Sequence, residues 1–363
     1  MTKTKTRLDP IIFLLTLALV AFGVVMVYEA SVVEAFSQFS DKFYFAKLQL
    51  RWAVLGLAVM LTTAFIPYKI WQKLSLPLFI ASLLLLVAVL IPGVGSQIQG
   101  ARRWLNLGGL TLQPSELVKL TFVMYLASWF TKRPPLLPFL LLSATLLILI
   151  MLQPDLGTAV IIIGTGFLVY FLSGAPLLAI AGIGIFGLII GLVLIVSSSY
   201  RRVRLLTFFN PTTDPLGASY HIRQILIALG SGGLFGLGLG QSRQKYSYLP
   251  EATTDSIFAI ISEEIGFAGA AVIIGLFLLI IYRGFTLALA ATDRFGQLLS
   301  GGIIGSLALQ VCINLAAMVA LVPLTGVPLP LISYGGSSLI THLAGIGILL
   351  NISRSGHKLT SKS

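Results

Sequence analysis

The sequence predicts an all-α, polytopic integral membrane protein with about ten transmembrane helices. Of its 363 residues, 57% are apolar and only 10% are charged, and the mean hydropathy is +0.98. Nearly every window is apolar over the ~20 residues that a helix needs to cross a bilayer. A membrane β-barrel would instead show short segments of alternating polarity. We therefore expect one transmembrane domain that covers residues 1–363.

Apolar runs of span length give the expected helices in chain order. They lie near residues 10–30, 48–66, 73–92, 114–131, 136–152, 156–173, 177–199, 264–285, 296–323 and 334–352. The first run is expected to be retained, because no cleavage site of small residues follows it. Three links are long enough to hold polar structure, at 31–47, 93–113 and 200–263. The last is the largest and separates the seventh helix from the eighth.

Basic residues predict the orientation, because Lys and Arg gather in short cytoplasmic loops. With the N-terminus in the cytoplasm, the short inner flanks hold twelve of them and the short outer flanks hold five. We therefore expect both termini in the cytoplasm and the links 93–113 and 200–263 at the outer face. The net charge of +12 follows from this topology and does not indicate nucleic-acid binding.

Four of the twelve acidic residues lie in YLPEATTDSIFAIISEEIGF, residues 248–267, at the end of the large outer link. Asp255 stands where the loop meets a predicted helix start. A carboxylate there, facing a polar cavity, suits a general base. Asp is also a preferred N-cap residue, so a purely structural role stays open. Glu263 lies roughly on the same helical face as Asp255, whereas Glu264 points elsewhere. Asp155, at the start of another span, is favoured as a helix cap.

A second polar cluster lies in segment 96–119. Arg102, Arg103 and Trp104 lie in a Gly-bounded outer loop, and Glu116 and Lys119 follow at i, i+3 in the first turns of a span. Ionisable groups inside a span are costly and normally face a cavity or a partner. Arg and Lys in such a cluster suit a phosphate-bearing ligand. The alternative is a structural Glu116–Lys119 ion pair, with the arginines at lipid headgroups.

The remaining polar stretches favour structural roles. Arg201, Arg202 and Arg204 alternate with apolar residues and predict an amphipathic helix in the membrane interface. The glycine-rich run 230–240 lacks the spacing of a phosphate-binding loop, and the three histidines lack the spacing of metal ligands. The proline-rich stretch 323–330 precedes a glycine-rich helix start that could hold an anion, but a kinked turn is the favoured interpretation.

Five stretches together resemble the SEDS family, the membrane proteins of bacterial shape, elongation, division and sporulation. They run in family order over about two thirds of the chain: GARRWLNLGGLTLQPSELVKL (100–120), QPDLGTA (153–159), NPTTDPLGASYHIRQ (210–224), YLPEATTDSIFAIISEEIGF (248–267) and TGVPLPLISYGGSSL (325–339). A further stretch, GQSRQKYSYLPEA (240–252), is more similar to the division branch than to the elongation branch.

The resemblance implies a ten-helix fold in the plasma membrane and a peptidoglycan glycosyltransferase that acts on lipid II at the outer face. It implies a class B penicillin-binding transpeptidase as partner, among other division or elongation membrane proteins. The family's proposed catalytic acid falls on Asp255. Its other site residues fall on the Arg103–Trp104 motif, on Gln113 to Glu116, and on Lys119.

We add further candidates for substrate binding from the outer face: Arg102, Lys47, Arg51, Glu251 and Ser337. The chain departs from the family in two places. Ser256 follows Asp255 where the family usually has Phe, and Arg51 is further from Lys47 than the basic residue expected in relatives.

These residues suggest an inverting sugar transfer. The 4-hydroxyl of an acceptor GlcNAc attacks C1 of a donor MurNAc on undecaprenyl pyrophosphate, and Asp255 takes the proton. Arg102, Arg103 and Lys119 would bind the pyrophosphate. One inversion requires one base and no covalent intermediate. No cofactor is certain; a divalent cation such as Mg²⁺ at the pyrophosphate is an open alternative without a dedicated site.

Two other classes of function stay open. A flippase for lipid-linked precursors would use the same buried charges and broken helices, but it needs polar groups accessible from both sides. A non-catalytic scaffold of the division machinery would tolerate the loss of Asp255. The ionisable residues crowd the outer half of the chain, which favours the enzyme over the flippase.

Overall fold

A computed structural model describes residues 8–98, 101–108, 110–132, 135–209, 219–246 and 248–356. These residues form helices and one small antiparallel sheet. In chain order the elements are α1 (Pro10–Phe39), α2 (Tyr44–Phe65), α3 (Tyr68–Ala88), β1 (Gly95–Ile98), β2 (Ala101–Leu107), β3 (Leu110–Leu112), α4 (Pro114–Trp129), α5 (Leu136–Met151), α6 (Leu156–Leu172), α7 (Leu177–Val196), α8 (Ser199–Phe209), α9 (Tyr220–Ser231), α10 (Ile257–Ala290), α11 (Arg294–Met318) and α12 (Gly336–Gly356).

The helical membrane fold predicted from hydropathy is confirmed. Each predicted span has a helix at its place, and α8 and α9 lie in the large link. Seven of the described helices are long and apolar enough to cross a membrane, namely α1, α2, α3, α7, α10, α11 and α12. Helices α5 and α6 are shorter but apolar. The number of helices that cross the bilayer stays a prediction.

Two of the expected polar links are largely helical. In the link 31–47, α1 continues to Phe39 and α2 begins at Tyr44, so only four residues separate the helices. In the link 200–263, α8, α9 and the start of α10 occupy much of the chain, and residues 210–218 lie outside the described part. Hydropathy predicts only the apolar part of a helix. The backbone hydrogen bonds of a helix can continue into polar residues, so the observed helices extend into the predicted links.

The core of the bundle is built around α11 and α12. About two thirds of the apolar stretch of α11 and nearly three quarters of that of α12 are buried, whereas none of the α7 side chains that the structure describes is buried. Small residues allow close packing at the centre, as where Gly56 of α2 lies against Leu343 of α12. Helix α7 therefore lies at the periphery of the described bundle.

The segment before α4 forms a sheet rather than the loop predicted from the sequence. Strand β2 pairs with β1 and β3 in the order β1-β2-β3, with Trp104 opposite Ser96 and Asn106 opposite Thr111. Gly108, at φ 62°, makes the turn between β2 and β3. These strands are too short for a reliable alternating pattern, which explains why the sequence did not predict them.

The glycine-rich segment 232–240 lies against a kink in α10. Gly266 interrupts that helix at φ 69°. The amide of Leu237 donates to Glu263 O at 3.0 Å, and the amide of Phe267 donates to Gly233 O at 2.9 Å. Side chains added at Gly232 and Gly236 would collide with the α10 backbone at Ser262 and Glu264. These two glycines therefore let the segment approach α10 closely, although most of its residues are exposed.

Ion pairs and caps close the end of the bundle opposite the candidate site. Asp9 caps α1 and lies 3.0 Å from the Arg283 guanidinium. Asp293 caps α11 and accepts a hydrogen bond of 2.7 Å from the Tyr68 hydroxyl. These contacts join α1 to α10 and α3 to α11.

Candidate active site

Asp255 lies immediately before α10 and does not cap it. The N-cap is Ser256, whose side chain makes no capping hydrogen bond and instead lies 2.8 Å from His221 Nε2. The Asp255 side chain, on a residue only 8% exposed, accepts from the Thr254 hydroxyl at 3.2 Å. The alternative in which Asp255 is an N-cap is therefore wrong, because the helix begins one residue later than that role requires.

The backbone that carries Asp255 is fixed at three successive carbonyl groups. Tyr334 N donates to Thr253 O at 2.9 Å, and Ser333 Oγ donates to Thr254 O at 2.6 Å. Asn314 Nδ2 donates to the carbonyl of Asp255 at 2.8 Å. Helix α11 and the loop between α11 and α12 thus hold the turn that carries Asp255.

Burial and, after it, the negative charge of Glu251 raise the pKa of Asp255 to about 7, while the positive charge of Arg204 opposes the rise. Glu251 adopts φ 52°. Its carboxylate accepts from the Thr254 hydroxyl at 2.8 Å. A carboxyl group that titrates near neutral pH is suited to proton transfer, because a general base works best when its pKa is close to the working pH.

Arg204 and His221 lie near Asp255, rather than serving only as interfacial residues. Arg204 Nη1 donates to Leu324 O at 2.9 Å, in the same loop that holds the Asp255 turn. Burial and the charge of Arg204 lower the pKa of His221 to about 4, so its imidazole is neutral at pH 7. His221 is bonded to Ser256, the residue next to Asp255.

Glu116 and Lys119 form a buried ion pair in the first turns of α4. Lys119 Nζ lies 2.7 Å from Glu116 Oε2, with the residues 4% and 2% exposed. Lys119 also donates to Gln310 Oε1 on α11 at 2.6 Å. Lys119 lines a cavity between α4, α11 and α12, together with Thr341 and His342. The Glu116–Lys119 ion pair given as the structural alternative is therefore present, and Lys119 borders a cavity, while ligand binding by this pair stays a prediction.

Helix α11 connects this ion pair to Asp255. Gln310 accepts from Lys119 and donates to Pro328 O at 2.9 Å. Asn314, one turn further along, donates to Val327 O at 2.8 Å as well as to Asp255 O. Residues at i and i+4 are about 6 Å apart along a helix. The two charged centres are therefore held by neighbouring amides on one face of α11.

The predicted arginine motif lies at an irregularity in β2, where Arg102 is opposite Gln97, Trp104 is opposite Ser96, and Arg103 is left out of the pairing with β1. Arg103 Nε donates to Gln153 O at 2.8 Å and its Nη2 donates to Pro154 O at 2.5 Å, so this side chain holds the link between α5 and α6. Arg102 and Trp104 are half-buried. Binding of a ligand by these residues stays a prediction.

Gln113 and Ser337 join the sheet to the start of α12. Gln113 N donates to Ser337 Oγ at 3.0 Å, and that hydroxyl donates to Thr111 O at 3.2 Å. The Gln113 side chain donates to Asp155 at 3.4 Å. Asp155 caps α6 by accepting from Thr158 N at 3.0 Å, which confirms its predicted structural role.

Lys47 and Arg51 are exposed on the first turns of α2. Lys47 Nζ pairs with Asp41 at 2.7 Å on the surface. Gln49, between them, is buried and donates to Ser333 O at 3.2 Å. The start of α2 therefore adjoins the loop that holds Asp255, although none of the contacts described joins Lys47 or Arg51 to the carboxylate itself.

Glu263 and Glu264 bind residues 242–245 rather than face Asp255. Glu263 accepts from the hydroxyl of Ser242 and from the amide of Arg243, at 3.1 Å for the latter. Glu264 lies 3.2 Å from Lys245 Nζ, which also lies 3.3 Å from Glu29 of α1. This buried cluster attaches residues 242–245 to α1 and α10.

Sequence reasoning missed the amides of α11, Gln310 and Asn314. Both lie in an apolar run, QVCIN, and both are almost completely buried. Two amides four residues apart inside a membrane helix are costly unless they are hydrogen-bonded to protein. Their spacing was the available signal, but their partners are remote in sequence.

The chain matches the FtsW/RodA/SpoVE family, described as "cell cycle protein", over residues 9–358. It is 43% identical to stage V sporulation protein E of Bacillus subtilis, covering 98% of this chain and 99% of that protein. It is also 43% identical to a probable peptidoglycan glycosyltransferase FtsW of Trichlorobacter lovleyi, covering 95% and 93%. One chain of a solved peptidoglycan synthase complex that coordinates polymerization and crosslinking matches with a TM-score of 0.79 and 33% identity, covering 97% and 99%.

Proposed function

This chain belongs to the FtsW/RodA/SpoVE family, and on that premise we propose that it is a peptidoglycan glycosyltransferase whose general base is Asp255. The observation that carries the proposal is the buried Asp255 carboxylate, with a pKa near 7, on a turn fixed at three successive carbonyl groups. A positioned base with a pKa near the working pH is what proton abstraction from a sugar hydroxyl requires.

In the proposed reaction the 4-hydroxyl of lipid II attacks C1 of the sugar at the end of a lipid-linked glycan. The new O–C1 bond forms as the bond from C1 to the pyrophosphate oxygen breaks. Asp255 takes the hydroxyl proton, and undecaprenyl pyrophosphate leaves with the electron pair. Because displacement occurs once, an α-linked donor gives a β-1,4 product without a covalent intermediate.

Stabilisation of the leaving pyrophosphate is proposed for basic groups around the site. An ammonium group has three donors, and Lys119 donates one hydrogen bond to Gln310 while it forms an ion pair with Glu116. A further donor of Lys119 and the half-buried Arg102 are the proposed pyrophosphate contacts, whereas the Arg103 guanidinium is engaged with backbone carbonyls. No cluster of three metal-ligating side chains occurs among the described residues. A divalent cation would therefore take its ligands mainly from the pyrophosphate.

The enzyme is favoured over a flippase by where the charged groups lie. Asp255, Glu251 and Arg204 lie at one end of the bundle, and the opposite end is joined by the Asp9–Arg283 ion pair. A path with polar groups open to both sides would be needed to move a lipid headgroup. A scaffold, in turn, would have no use for a carboxyl group with a raised pKa.

We further propose a class B penicillin-binding transpeptidase as partner and lipid II as acceptor. The similarity to one chain of a synthase complex that couples polymerization to crosslinking supports the partner. The excess of basic residues in short inner flanks supports a plasma-membrane location with both termini in the cytoplasm.

The testing experiment uses purified full-length protein with its transpeptidase partner and labelled lipid II. We expect glycan polymer that resists moenomycin and that depends on Asp255. A parallel assay follows transfer of fluorescent lipid II across vesicle membranes. Translocation without polymer formation would identify a flippase, and the absence of both activities in a well-assembled complex would identify a scaffold.

A further inference from the structure

We infer that Asn314 is a positioning residue for the proposed reaction, which sets the direction of the Asp255 carboxylate from inside α11. The inference rests on the proposed function, since it assigns a role relative to Asp255 as base. Asn314 lies in α11, and its side chain is hydrogen-bonded to the backbone carbonyl of Asp255.

The hydrogen bonds of Asn314 occupy both hydrogens of its amide. Nδ2 lies 2.8 Å from Asp255 O and 2.8 Å from Val327 O, and the residue is only 1% exposed. A primary amide has two donors, so neither hydrogen is left for water. A buried carbonyl requires a donor, and in both cases Asn314 supplies one.

The position of Asp255 explains why its carbonyl needs an outside donor. In a helix the carbonyl of the N-cap residue accepts the first intrahelical bond, and here Ser256 O accepts from Ala259 N at 2.9 Å. The carbonyl of Asp255 precedes the N-cap and lies outside this pattern. Asn314 thus fixes the peptide plane that follows Asp255, and that plane orients its side chain.

The second bond of Asn314 shapes the space beside the carboxylate. It holds Val327, and the preceding residue is Gly326 at φ 70°. A Cβ atom placed on Gly326 would lie 3.9 Å from Asp255 Oδ2. One amide therefore holds both the base and the loop that borders it.

Gln310 plays a similar part for the Glu116–Lys119 ion pair. Gln310 accepts from the Lys119 ammonium one helical turn away from Asn314. The positions of Lys119 and of Asp255 are therefore both fixed by side chains of α11. Reacting groups must be held in their productive geometry, and a shift of about 1 Å can cost ~10²-fold in rate. Loss of the Asn314 amide should therefore lower turnover more than substrate binding.

The test compares Asn314→Ala with Asn351→Ala. Asn351 is a matched control, because it is also buried and also bonded to backbone: it accepts from Tyr68 N at 2.9 Å and donates to Ala64 O at 2.8 Å. Its contacts lie at the opposite end of the bundle. Both variants are measured as full-length protein with the transpeptidase partner, per folded molecule, for kcat, KM for lipid II and the pH profile.

For Asn314→Ala we expect kcat to fall by about 10- to 100-fold, with KM changed by less than about threefold and the acid limb of the pH profile displaced. Asn351→Ala should keep the wild-type kcat and profile. Asn314→Ser keeps one donor; it should give an intermediate kcat and replaces the alanine variant if that one does not fold. Wild-type kcat and an unshifted profile in the folded variant would overturn the inference.

The same assay with Asp255→Asn separates the two proposals. If Asp255→Asn polymerises lipid II at the wild-type rate, the proposed base is wrong. If Asp255→Asn is inactive while Asn314→Ala keeps wild-type kcat and pH profile, only the positioning role of Asn314 is wrong.

Discussion

Glu251 and Asp255 are bridged by a single hydroxyl group: Thr254 Oγ1 lies 2.8 Å from the first carboxylate and 3.2 Å from the second. A hydroxyl has one hydrogen, so it can satisfy only one of the two acceptors at a time. Two carboxylates that share one donor disfavour simultaneous ionisation. This relationship makes the ionisation of Asp255 sensitive to Glu251, and the first predictions follow from it.

Asp255→Asn should abolish most polymerisation without loss of the fold. The amide has nearly the size of the carboxylate but cannot accept the proton of an attacking hydroxyl. A positioned general base contributes about 10²–10⁴-fold, so the rate of glycan synthesis should fall by that factor. Expression and partner binding should stay near normal. A well-folded Asp255→Asn protein that makes glycan at the wild-type rate would exclude the base assignment.

The wild-type rate should rise with pH through the pKa of Asp255. The base must be ionised, and its pKa of about 7 means that the rate falls about tenfold per pH unit on the acid side and levels above about pH 8. Glu251→Gln removes a charge that raises this pKa, so its acid limb should lie at lower pH. Rate profiles between pH 5 and 9 measure both. Coincident acid limbs would show that Glu251 does not act on Asp255.

Asp255 should reduce the stability of the folded protein at neutral pH. Its pKa is raised in the folded state, so the folded protein binds a proton more tightly than the unfolded chain. Folded-state stability should therefore decrease as pH rises from about 4 to about 7 and then level off. Asp255→Asn lacks this loss and should unfold at a higher temperature than wild type at pH 8. Equal unfolding temperatures at pH 8 would contradict the raised pKa.

Each member of the Glu116–Lys119 pair should be needed for stability as long as the other is present, and Lys119 should be needed for activity as a cation. Removing one partner of a buried pair costs about 3–5 kcal/mol, because an uncompensated charge stays behind. Glu116→Gln and Lys119→Met should each lower the thermal stability in detergent. The double variant should recover most of the stability but still use lipid II poorly. A fully active double variant would remove Lys119 from the proposed pyrophosphate site.

The orientation predicts where the chain can be labelled. Tyr246 is exposed in the segment before Asp255, and Tyr246→Cys, with Cys312 replaced by Ala, should react with a membrane-impermeant maleimide from outside intact cells. Tags at Thr2, near Thr131 and at Ser363 should be reached only from the cytoplasm. A Cys at position 246 that is protected until cells are broken would reverse the orientation and place the candidate site on the wrong side.

The helices and the residues around Asp255 were predictable to different degrees. Hydropathy predicted the helices because the requirement to satisfy every backbone group in lipid leaves few alternatives. The charged candidates Glu116, Lys119 and Asp255 were also found from sequence, because charge is rare in this chain. Asn314 was missed, because its partner Asp255 lies 59 residues away and only tertiary packing brings them together.

The details of individual side chains could not be read from sequence either. Arg103 is of a residue type that commonly binds phosphate, but its guanidinium donates to the carbonyls of Gln153 and Pro154. Asp is a residue type preferred at the N-cap, but Ser256 and not Asp255 is the N-cap of α10. The partner of Arg103 depends on the register of its strand, and the role of Asp255 depends on the residue at which α10 begins. Local sequence propensity determines neither the strand register nor the exact helix start.

The kink at Gly266 has a mechanical consequence for an enzyme that works at the surface of a bilayer. An uninterrupted helix of 34 residues would extend over about 50 Å, whereas the hydrocarbon core is only about 30 Å thick. Changes in lipid composition alter the tilt of long helices to match the membrane thickness. Residues 233–238 are hydrogen-bonded to both sides of this kink, to the carbonyls of Glu263 and Glu264 before it and to the amides of Phe267 and Ala268 after it. We therefore expect α10 to tilt as one bent unit, and not to bend further at Gly266, when the membrane thickness changes.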